Sequence, residues 1–435
     1  MKRTILCILA CGTLLAGCDV FKKEKIPLEG DREDILLDAE LLQPVSFAVA
    51  KPANLPFAAH NADWPQAGYN PAHKAGHLVL KDDLRVVWNT NIGAGNGGER
   101  RILSEPIVVN DRAYVLNADA EVVAVNAVNG DNIWNVAVTP AEYSVGSLGG
   151  GIAHENGTLY VTTAYAEVIA MDANTGAIAW RQSINSPSRV APTVRDGRVY
   201  VVTINNELEV FDTEGNRLWE HAGIIETAGL LGGASPAVLG NVVVVAYSSG
   251  EVYALNAENG QPLWNESLAS FKKVDSVTSI PHICASPVID KNNVYLISHS
   301  GRMASIDLRS GNVNWNRDIG GTKTPLVIGD AIFIITSDNQ LACLSSDKGE
   351  VRWVVNLPRY KDKESSQGRI VWTGPLLASN KLVVVSSTGE VKTLSPEDGS
   401  ALKTISIGEG TGVSPIIANE TLYVLDDSGS LYALR

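Results

Sequence analysis

The sequence predicts an all-β fold, an eight-bladed β-propeller whose blades are four-stranded antiparallel sheets. Three recurring features indicate this fold: a polar turn that ends in glycine and is followed by tryptophan, an apolar strand around an aromatic or β-branched residue, and a proline that opens most repeats. They recur about every 40–50 residues, which is the length of one propeller blade.

The first feature joins a turn to a strand. Its Asp or Asn and its glycine favour a tight turn, because the polar side chain bonds its own backbone and glycine accepts a positive φ. Tryptophan follows four positions after the glycine in the pairs Gly130–Trp134, Gly176–Trp180, Gly215–Trp219, Gly260–Trp264, Gly311–Trp315 and Gly349–Trp353. A further copy has Gly399 but Lys403 in place of tryptophan. We interpret the tryptophans as packing groups between blades, since a buried indole removes roughly 150–250 Å² from water.

The other two features keep the same period. The apolar strand carries Tyr114, Tyr160, Tyr200, Val243, Tyr295, Phe333, Val383 and Tyr423. The opening prolines are Pro106, Pro192, Pro236, Pro287, Pro325, Pro375 and Pro415. A proline at the first residue of a strand costs no ladder hydrogen bond, so each is expected to start a blade.

The two ends of the repeat region complement each other. The last repeat starts at Pro415 and ends at Arg435 without a tryptophan strand, whereas Trp88 lies in a strand at 84–92 without a repeat of its own. We expect the N-terminal strand to join the C-terminal blade. This pairing closes the ring at eight blades and removes the open sheet edge.

The N-terminus is typical of a bacterial lipoprotein. Lys2 and Arg3 precede a short apolar stretch that ends in Leu15-Ala16-Gly17-Cys18, which resembles the lipobox. The resemblance implies a signal peptide at 1–17, cleavage before Cys18 and lipid on Cys18. Residues 18–62 are then a flexible tether, and 63–435 form the propeller. Asp19 resembles an inner-membrane retention signal, so the choice between inner and outer membrane stays open.

Composition excludes several classes of partner. The formal charge is −13, and loss of residues 1–17, which contain two bases and no acid, makes it −15. Such a charge argues against nucleic acid as a partner and against a polybasic membrane patch. The membrane contact is therefore expected through the lipid alone. Cys284 and Cys343 fall in different blades, and we favour two free thiols over a disulfide.

No catalytic or metal motif stands out in the sequence. His73 and His77 have ligand-like spacing, but Pro71 and Gly76 argue against a helix that presents both side chains. No serine-hydrolase, zinc-protease or Cys-x-x-Cys motif occurs. The sequence therefore predicts no catalytic residue, no metal site and no cofactor.

Long loops between blades are the places where a rigid ring would carry function. The loop at 222–234 has two adjacent leucines, Leu230 and Leu231, among glycines, which suits a contact with a partner. The loop at 268–284 carries Phe271, Lys272 and Asp275, a mixed aromatic and polar set. These five residues are the candidate partner-binding residues.

The repeated turn and tryptophan resemble the blade motif of pyrroloquinoline-quinone propellers, and Trp64-Pro65-Gln66-Ala67-Gly68 resembles their lead-in. Together with the lipobox, the tether and the C-terminal Leu431-Tyr432-Ala433-Leu434-Arg435, the chain resembles the BamB family of the β-barrel assembly machinery. That resemblance implies a non-enzymatic lipoprotein on the periplasmic face of the outer membrane. It also implies binding to the POTRA domains of BamA, association with the other lipoproteins of the machinery, and assistance to unfolded outer-membrane protein clients.

The family's contact uses two neighbouring inter-blade loops, one with a Leu-Arg segment and one with an acidic pair. Leu230 and Leu231 match the first, without the arginine, and Asp275 is the acid that remains in the second. Two alternatives stay open: a quinone-binding propeller of the dehydrogenase type, and a lipoprotein that binds another envelope ligand. The dehydrogenase pattern includes adjacent cysteines, which this sequence lacks.

Overall fold

The computed structural model describes residues 42–45, 52–143, 148–269 and 280–435. Within these ranges the chain forms eight four-stranded antiparallel blades, as the sequence predicts, and has no α-helix. Accordingly, no helix in the described ranges has the length and apolar character needed to cross a membrane.

The strands are numbered in chain order, and two of them, β1 (His77–Leu78) and β2 (Val86–Asn91), precede the first complete blade. Blades 1 and 2 comprise β3 (Ile107–Val109), β4 (Arg112–Leu116), β5 (Glu121–Asn126), β6 (Asn132–Ala137), β7 (Gly150–Glu155), β8 (Thr158–Thr163), β9 (Glu167–Asp172) and β10 (Ile178–Ser183). Blades 3 and 4 comprise β11 (Thr193–Arg195), β12 (Arg198–Val202), β13 (Glu207–Asp212), β14 (Arg217–Ala222), β15 (Ala237–Leu239), β16 (Val242–Ala246), β17 (Glu251–Asn256) and β18 (Pro262–Ser267).

Blades 5 and 6 comprise β19 (Val288–Asp290), β20 (Asn293–Ile297), β21 (Met303–Asp307), β22 (Val313–Arg317), β23 (Leu326–Ile328), β24 (Ala331–Ile335), β25 (Gln340–Ser345) and β26 (Val351–Asn356). A small hairpin follows, formed by β27 (Tyr360–Asp362) and β28 (Gln367–Arg369). Blade 7 comprises β29 (Trp372–Ala378), β30 (Lys381–Ser386), β31 (Glu390–Leu394) and β32 (Ala401–Ser406). Blade 8 has β33 (Ile416–Ala418), β34 (Thr421–Leu425) and β35 (Ser430–Leu434).

The N-terminal strand closes the ring as predicted. β2 pairs antiparallel with β35 as the outer strand of blade 8, with Trp88 opposite Ala433. Arg85 and Arg435 exchange two backbone hydrogen bonds of 2.9 Å at the end of this pair. The last blade therefore contains both ends of the repeat region, and its outer strand comes from the N-terminal end of that region.

Each repeated tryptophan packs on the glycine turn of the following blade. A Cβ built on Gly260 would lie 2.5 Å from Trp219 Cε3, and one on Gly311 would lie 2.7 Å from the Trp264 side chain. Trp264 Nε1 also donates to the carbonyl of Leu308 in that turn, at 2.8 Å. The indole and the turn thus form one joint between blades, which confirms the predicted packing role.

Lys403 stands where the joint has no partner. It lies on the outer strand of blade 7, next to blade 8. In blade 8 no turn joins the two outer strands, because β35 ends at Leu434 and its partner β2 begins at Val86. No glycine turn exists there to receive an indole. Lys403 Nζ instead pairs with Asp83 Oδ1 at 2.7 Å, just before the closing strand.

The aromatic strand residues meet the tryptophans of their own blades. The ring centroids of Tyr160 and Trp180 lie 6.2 Å apart, and those of Phe333 and Trp353 lie 5.9 Å apart.

The opening prolines immediately precede the first strands, except Pro375, which lies inside β29 where the register shifts. The prediction that Pro375 starts its strand was therefore wrong, because β29 begins earlier and tolerates proline at this irregularity.

The lead-in lies inside the ring. We call residues 59–80 the inner segment, because it contacts the first strand of one blade after another. Trp64 exchanges backbone hydrogen bonds with Val108 of blade 1, and the Ala72 carbonyl accepts from Ile289 of blade 5 at 2.9 Å. His77 and Leu78 then add β1 in parallel to β29 of blade 7. The inner segment therefore runs along the first strands of these blades.

Candidate functional site

The loop between blades 3 and 4 carries an apolar surface. Ile224, Ile225 and Leu231 are 60%, 64% and 46% exposed, and Ile204 from a neighbouring turn is 37% exposed. These four residues are called the apolar loop surface. Because exposed apolar side chains in a cluster favour contact with another protein, this is the candidate site.

Two polar side chains hold the backbone of Ile224. The Ile224 N–H donates to Glu251 Oε2 at 2.8 Å, and the Ile224 carbonyl accepts from Asn206 Nδ2 at 2.5 Å. Asn206 Oδ1 in turn accepts from the backbone N–H and the hydroxyl of Ser248, at 3.0 and 2.9 Å. The turns of blades 3 and 4 thus hold Ile224 in place, so its side chain is presented to solvent by a rigid support.

An aromatic cluster supports the start of the same loop. His221 Nδ1 lies 3.0 Å from the Tyr247 hydroxyl, and the His221 ring lies 4.4 Å from the Tyr253 ring. A Cβ on Gly223 would lie 2.5 Å from the Tyr247 ring, so the chain can pass over Tyr247 only with glycine at this position. Burial lowers the pKa of His221, which favours its neutral form.

Leu230 and Leu231 have different roles. Leu230 is half-buried, and its N–H donates to Nδ1 of His282 at 2.8 Å. Nδ1 must accept this bond, so His282 is neutral here, and burial, with smaller effects of His299 and Arg189, lowers its pKa to about 4. Leu230 therefore fastens the loop to the connection between blades 4 and 5, whereas Leu231 is 46% exposed.

A small pocket lies beside the apolar loop surface. Its volume is about 200 Å³, and its walls include Ile204, Asn206, Leu230 and His282. The exposed apolar side chains therefore lie beside a small pocket of mixed polar and apolar lining. This combination is suited to anchoring side chains of a protein partner.

The structure describes only two of the five predicted partner-binding residues, Leu230 and Leu231. Leu230 lines a pocket together with Ile204, Ile224 is bonded to Asn206 of the same turn as Ile204, and Leu231 is exposed. Phe271, Lys272 and Asp275 lie outside the described residues, as does Cys18. Sequence reasoning missed the three isoleucines, although two adjacent β-branched residues in a glycine-containing loop and an isoleucine at a polar turn were available signals.

The histidines and cysteines have structural environments. Nδ1 of His73 lies 2.8 Å from the Pro287 carbonyl, and burial lowers the pKa of His73 to about 4. His77 Nε2 accepts from the Asn380 N–H at 2.9 Å. Cys284 and Cys343 are unpaired thiols. Among the described residues no three His, Cys, Asp or Glu side chains are grouped as a metal site would require.

Comparison with known proteins gives both family and fold. A family model described as "Outer membrane protein assembly factor BamB" matches residues 118–355, more than half of the chain. The outer membrane protein assembly factor BamB of Yersinia pestis is 25% identical over 354 residues, covering 80% of this chain and 88% of that protein. An uncharacterized protein of Rickettsia prowazekii is 30% identical over 264 residues, covering 59% of this chain and 63% of that protein.

Two solved structures share the fold. BamB from Moraxella catarrhalis matches with a TM-score of 0.70 at 19% identity, covering 81% of this chain and 100% of that chain. The quinohemoprotein alcohol dehydrogenase from Comamonas testosteroni matches with a TM-score of 0.65 at 14% identity, covering 87% of this chain and 81% of that chain. At such identities both similarities concern the architecture alone.

Proposed function

The chain belongs to the BamB family of outer membrane protein assembly factors, and from this membership we propose that it is a non-enzymatic scaffold of the β-barrel assembly machinery. Its partners are the POTRA domains of BamA, the other lipoproteins of the machinery, and unfolded outer-membrane protein clients. A lipid on Cys18 holds it at the periplasmic face of the outer membrane. Attachment raises its local concentration beside these partners, so a modest contact suffices for stable association.

The observation that carries the proposal is the apolar loop surface. Ile224 and Ile225 are more than half exposed, yet Glu251 and Asn206 hold both backbone groups of Ile224. An exposed apolar surface on a rigid backbone loses little conformational entropy when a partner covers it. Such pre-organisation favours a binding surface over a loop that merely covers the blade.

Leu231 extends the same surface. It is 46% exposed next to Leu230, whose N–H is bonded to His282 in the connection between blades 4 and 5. The loop therefore rests on blade 3, on blade 4 and on the connection that follows blade 4. A partner that binds here would contact the scaffold as one unit, which suits a protein that holds other components in fixed relative positions.

Co-purification tests the proposal. The full chain, tagged at its C-terminus and lipidated, is isolated from detergent-solubilised membranes, and the proteins retained with it are identified by mass spectrometry. We expect BamA and its lipoprotein partners in stoichiometric amounts. A Cys18→Ser variant is the matched control for lipid attachment and should recover less BamA. Isolation of the wild-type chain without BamA would refute the proposed function.

A further inference from the structure

The outer strand of blade 6 is buried where the outer strands of the other blades are exposed. Arg352, the residue before Trp353 in β26, is 4% exposed, and Val351 beside it is 6% exposed. The residue at the position of Arg352 is exposed in each of the other seven blades, namely Val87, Ile133, Ala179, Leu218, Leu263, Asn314 and Leu402. Since all eight blades share one strand pattern, the difference indicates that the outer edge of blade 6, its rim, is covered.

Residues 42–45 lie on this rim, and we call them the strap. The Val45 N–H donates to the Val351 carbonyl at 2.9 Å. The Leu42 N–H donates to Gln340 Oε1 at 3.1 Å, and the half-buried Leu42 side chain packs on the apolar cluster between blades 5 and 6. Backbone hydrogen bonds and an apolar contact therefore fasten the strap to blade 6.

The Gln340 side chain connects the strap to the outer strand. Its Oε1 accepts from Leu42, and its Nε2 donates to Asn356 Oδ1 at 3.1 Å. Gln340 is only 4% exposed. Loss of the strap would remove the hydrogen bond that Leu42 gives to this buried amide oxygen, and a buried acceptor without its partner is unfavourable. The docked strap is therefore favoured over a released one.

The strap passes from one end of blade 6 to the other. Gln340 is the first residue of β25 and pairs with Asn356, the last residue of β26, whereas Val351 is the first residue of β26. Leu42 therefore lies at the end of the blade from which the inter-blade loop leaves, which we call the loop end. Val45 lies at the opposite end, the turn end. The apolar loop surface is formed by an inter-blade loop and a turn between second and third strands, so it too lies at the loop end of its blades.

The chain enters the ring from the turn end. Asn54 lies beside the turn between β23 and β24, where its N–H donates to Asp330 Oδ1 at 2.7 Å. A Cβ on Gly329 would overlap the Asn54 carbonyl oxygen, so the chain passes directly over this turn. Asp330 also pairs with Arg352, whose Nη2 lies 3.0 Å from Asp330 Oδ2. Without the strap, the N-terminal part of the chain would leave the propeller here, at the end opposite to the apolar loop surface.

We propose that the strap is the point at which the membrane anchor is attached to the propeller, so that the lipid on Cys18 holds the loop end of blade 6 toward the membrane. This inference rests on the lipidation proposed above. The docked strap leaves 23 residues between Cys18 and Leu42, whereas 35 residues separate Cys18 from Asn54. At about 3.3–3.6 Å for each extended residue, the strap shortens the greatest reach of the anchor by about 40 Å.

Hydrogen exchange, followed by mass spectrometry of the full chain in detergent, tests whether the strap is docked. We expect the peptide that contains Leu42 and Val45 to exchange at least tenfold more slowly in wild type than in Leu42→Asp, because a charged side chain opposes burial on the apolar cluster. Gln43→Asp changes an exposed position of the strap and is the matched control, which should exchange as wild type does.

Energy transfer to a membrane tests which end of blade 6 the anchor holds. A donor dye is attached to Glu364→Cys, in the loop that follows β26, or to Lys348→Cys, in the turn at the opposite end of the blade, and both positions are exposed. Burial raises the pKa of the native thiols of Cys284 and Cys343 to about 12, so the introduced cysteine reacts preferentially at neutral pH.

The labelled, lipidated chain is bound to vesicles of phosphatidylethanolamine and phosphatidylglycerol that contain an acceptor lipid. We expect transfer to be at least twofold more efficient from position 364 than from position 348. In Leu42→Asp this preference should be lost, because the anchor then pulls from the turn end. The comparison of the two labelled positions uses the wild-type strap, so it stands even where Leu42→Asp folds poorly.

Three results would each overturn the proposal: equally fast exchange of the strap in wild type and Leu42→Asp, equal transfer from both labelled positions, or failure of the chain to bind vesicles. None of these measurements includes BamA. Failure to recover BamA by co-purification would therefore refute the scaffold function alone and leave the attachment of the anchor at blade 6 standing.

Discussion

At the scale of single residues, the fold gives the Glu105 carboxyl group two hydrogen bonds and a raised pKa. Its Oε1 accepts from the Gly68 N–H at 2.7 Å and from Trp64 Nε1 at 3.2 Å, which ties the inner segment to blade 1. Burial raises its pKa from 4.5 to about 7, although both hydrogen bonds lower it. The carboxyl group therefore serves as an acceptor that is costly to ionise.

Glu105→Gln should make the protein more stable at alkaline pH. Between pH 4.5 and 7 folded Glu105 keeps a proton that the unfolded chain has lost, so wild-type stability falls as pH rises through this window. Glutamine accepts the same bonds without a charge. Chemical denaturation should give the variant an advantage of about 1–3 kcal/mol at pH 8 and almost none at pH 4.

Glu258→Gln, at an exposed turn position, is the control and should not change the free energy of unfolding at pH 8 or at pH 4. An equal effect of Glu105→Gln at both pH values would show that the substitution acts through packing rather than ionisation.

Single residues of the candidate site could be predicted only in part. Leu230 and Leu231 stood out because leucine is unusual among glycines, and Leu231 is indeed exposed. Ile224 and Ile225 did not, since their exposure depends on Asn206 and Glu251. Those anchors come from other turns, and sequence periodicity contains no information about such contacts between blades.

At the scale of the element, the repeated unit is a joint that extends from one blade to the next. Gly260 has a φ of +73°, and a Cβ there would meet the ring of Trp219 on the preceding blade. The spacing of glycine and tryptophan in the sequence suggested one strand-turn unit. The structure adds that the glycine receives the tryptophan of the previous repeat, which explains why Lys403 replaces tryptophan where the next turn is missing.

Gly260→Ala should destabilise the protein more than Gly240→Ala. Both glycines lie in turns of blade 4 with positive φ, but nothing lies within 4 Å of a Cβ on Gly240. The left-handed conformation costs alanine about 1–2 kcal/mol at either site. Overlap with Trp219 should add about 1–3 kcal/mol at Gly260 alone.

Free energies of unfolding from denaturant titration measure the difference between these two variants. Equal losses of unfolding free energy would mean that the Trp219 indole moves aside freely, and that Gly260 and Trp219 are not in tight contact.

At the scale of the whole molecule, blade number and ring closure could be predicted because both follow from a repeat with two complementary ends. The path of the inner segment could not. Residues 59–80 have no periodic pattern, and their contacts with blades 1 to 5, 7 and 8 are backbone and side-chain hydrogen bonds.

Direct measurement of affinity tests whether the apolar loop surface binds BamA, as proposed. Purified chain and a purified POTRA fragment of BamA are titrated by calorimetry, with wild type compared with Ile225→Asp and Leu231→Asp. Leu263→Asp is the control, since Leu263 is 49% exposed on the outer strand β18, away from the loop.

We expect Ile225→Asp and Leu231→Asp each to weaken POTRA binding at least tenfold with an unchanged melting temperature, whereas Leu263→Asp should bind as wild type does. Wild-type affinity in both loop variants, or an equal loss in the Leu263 control, would contradict the proposed contact.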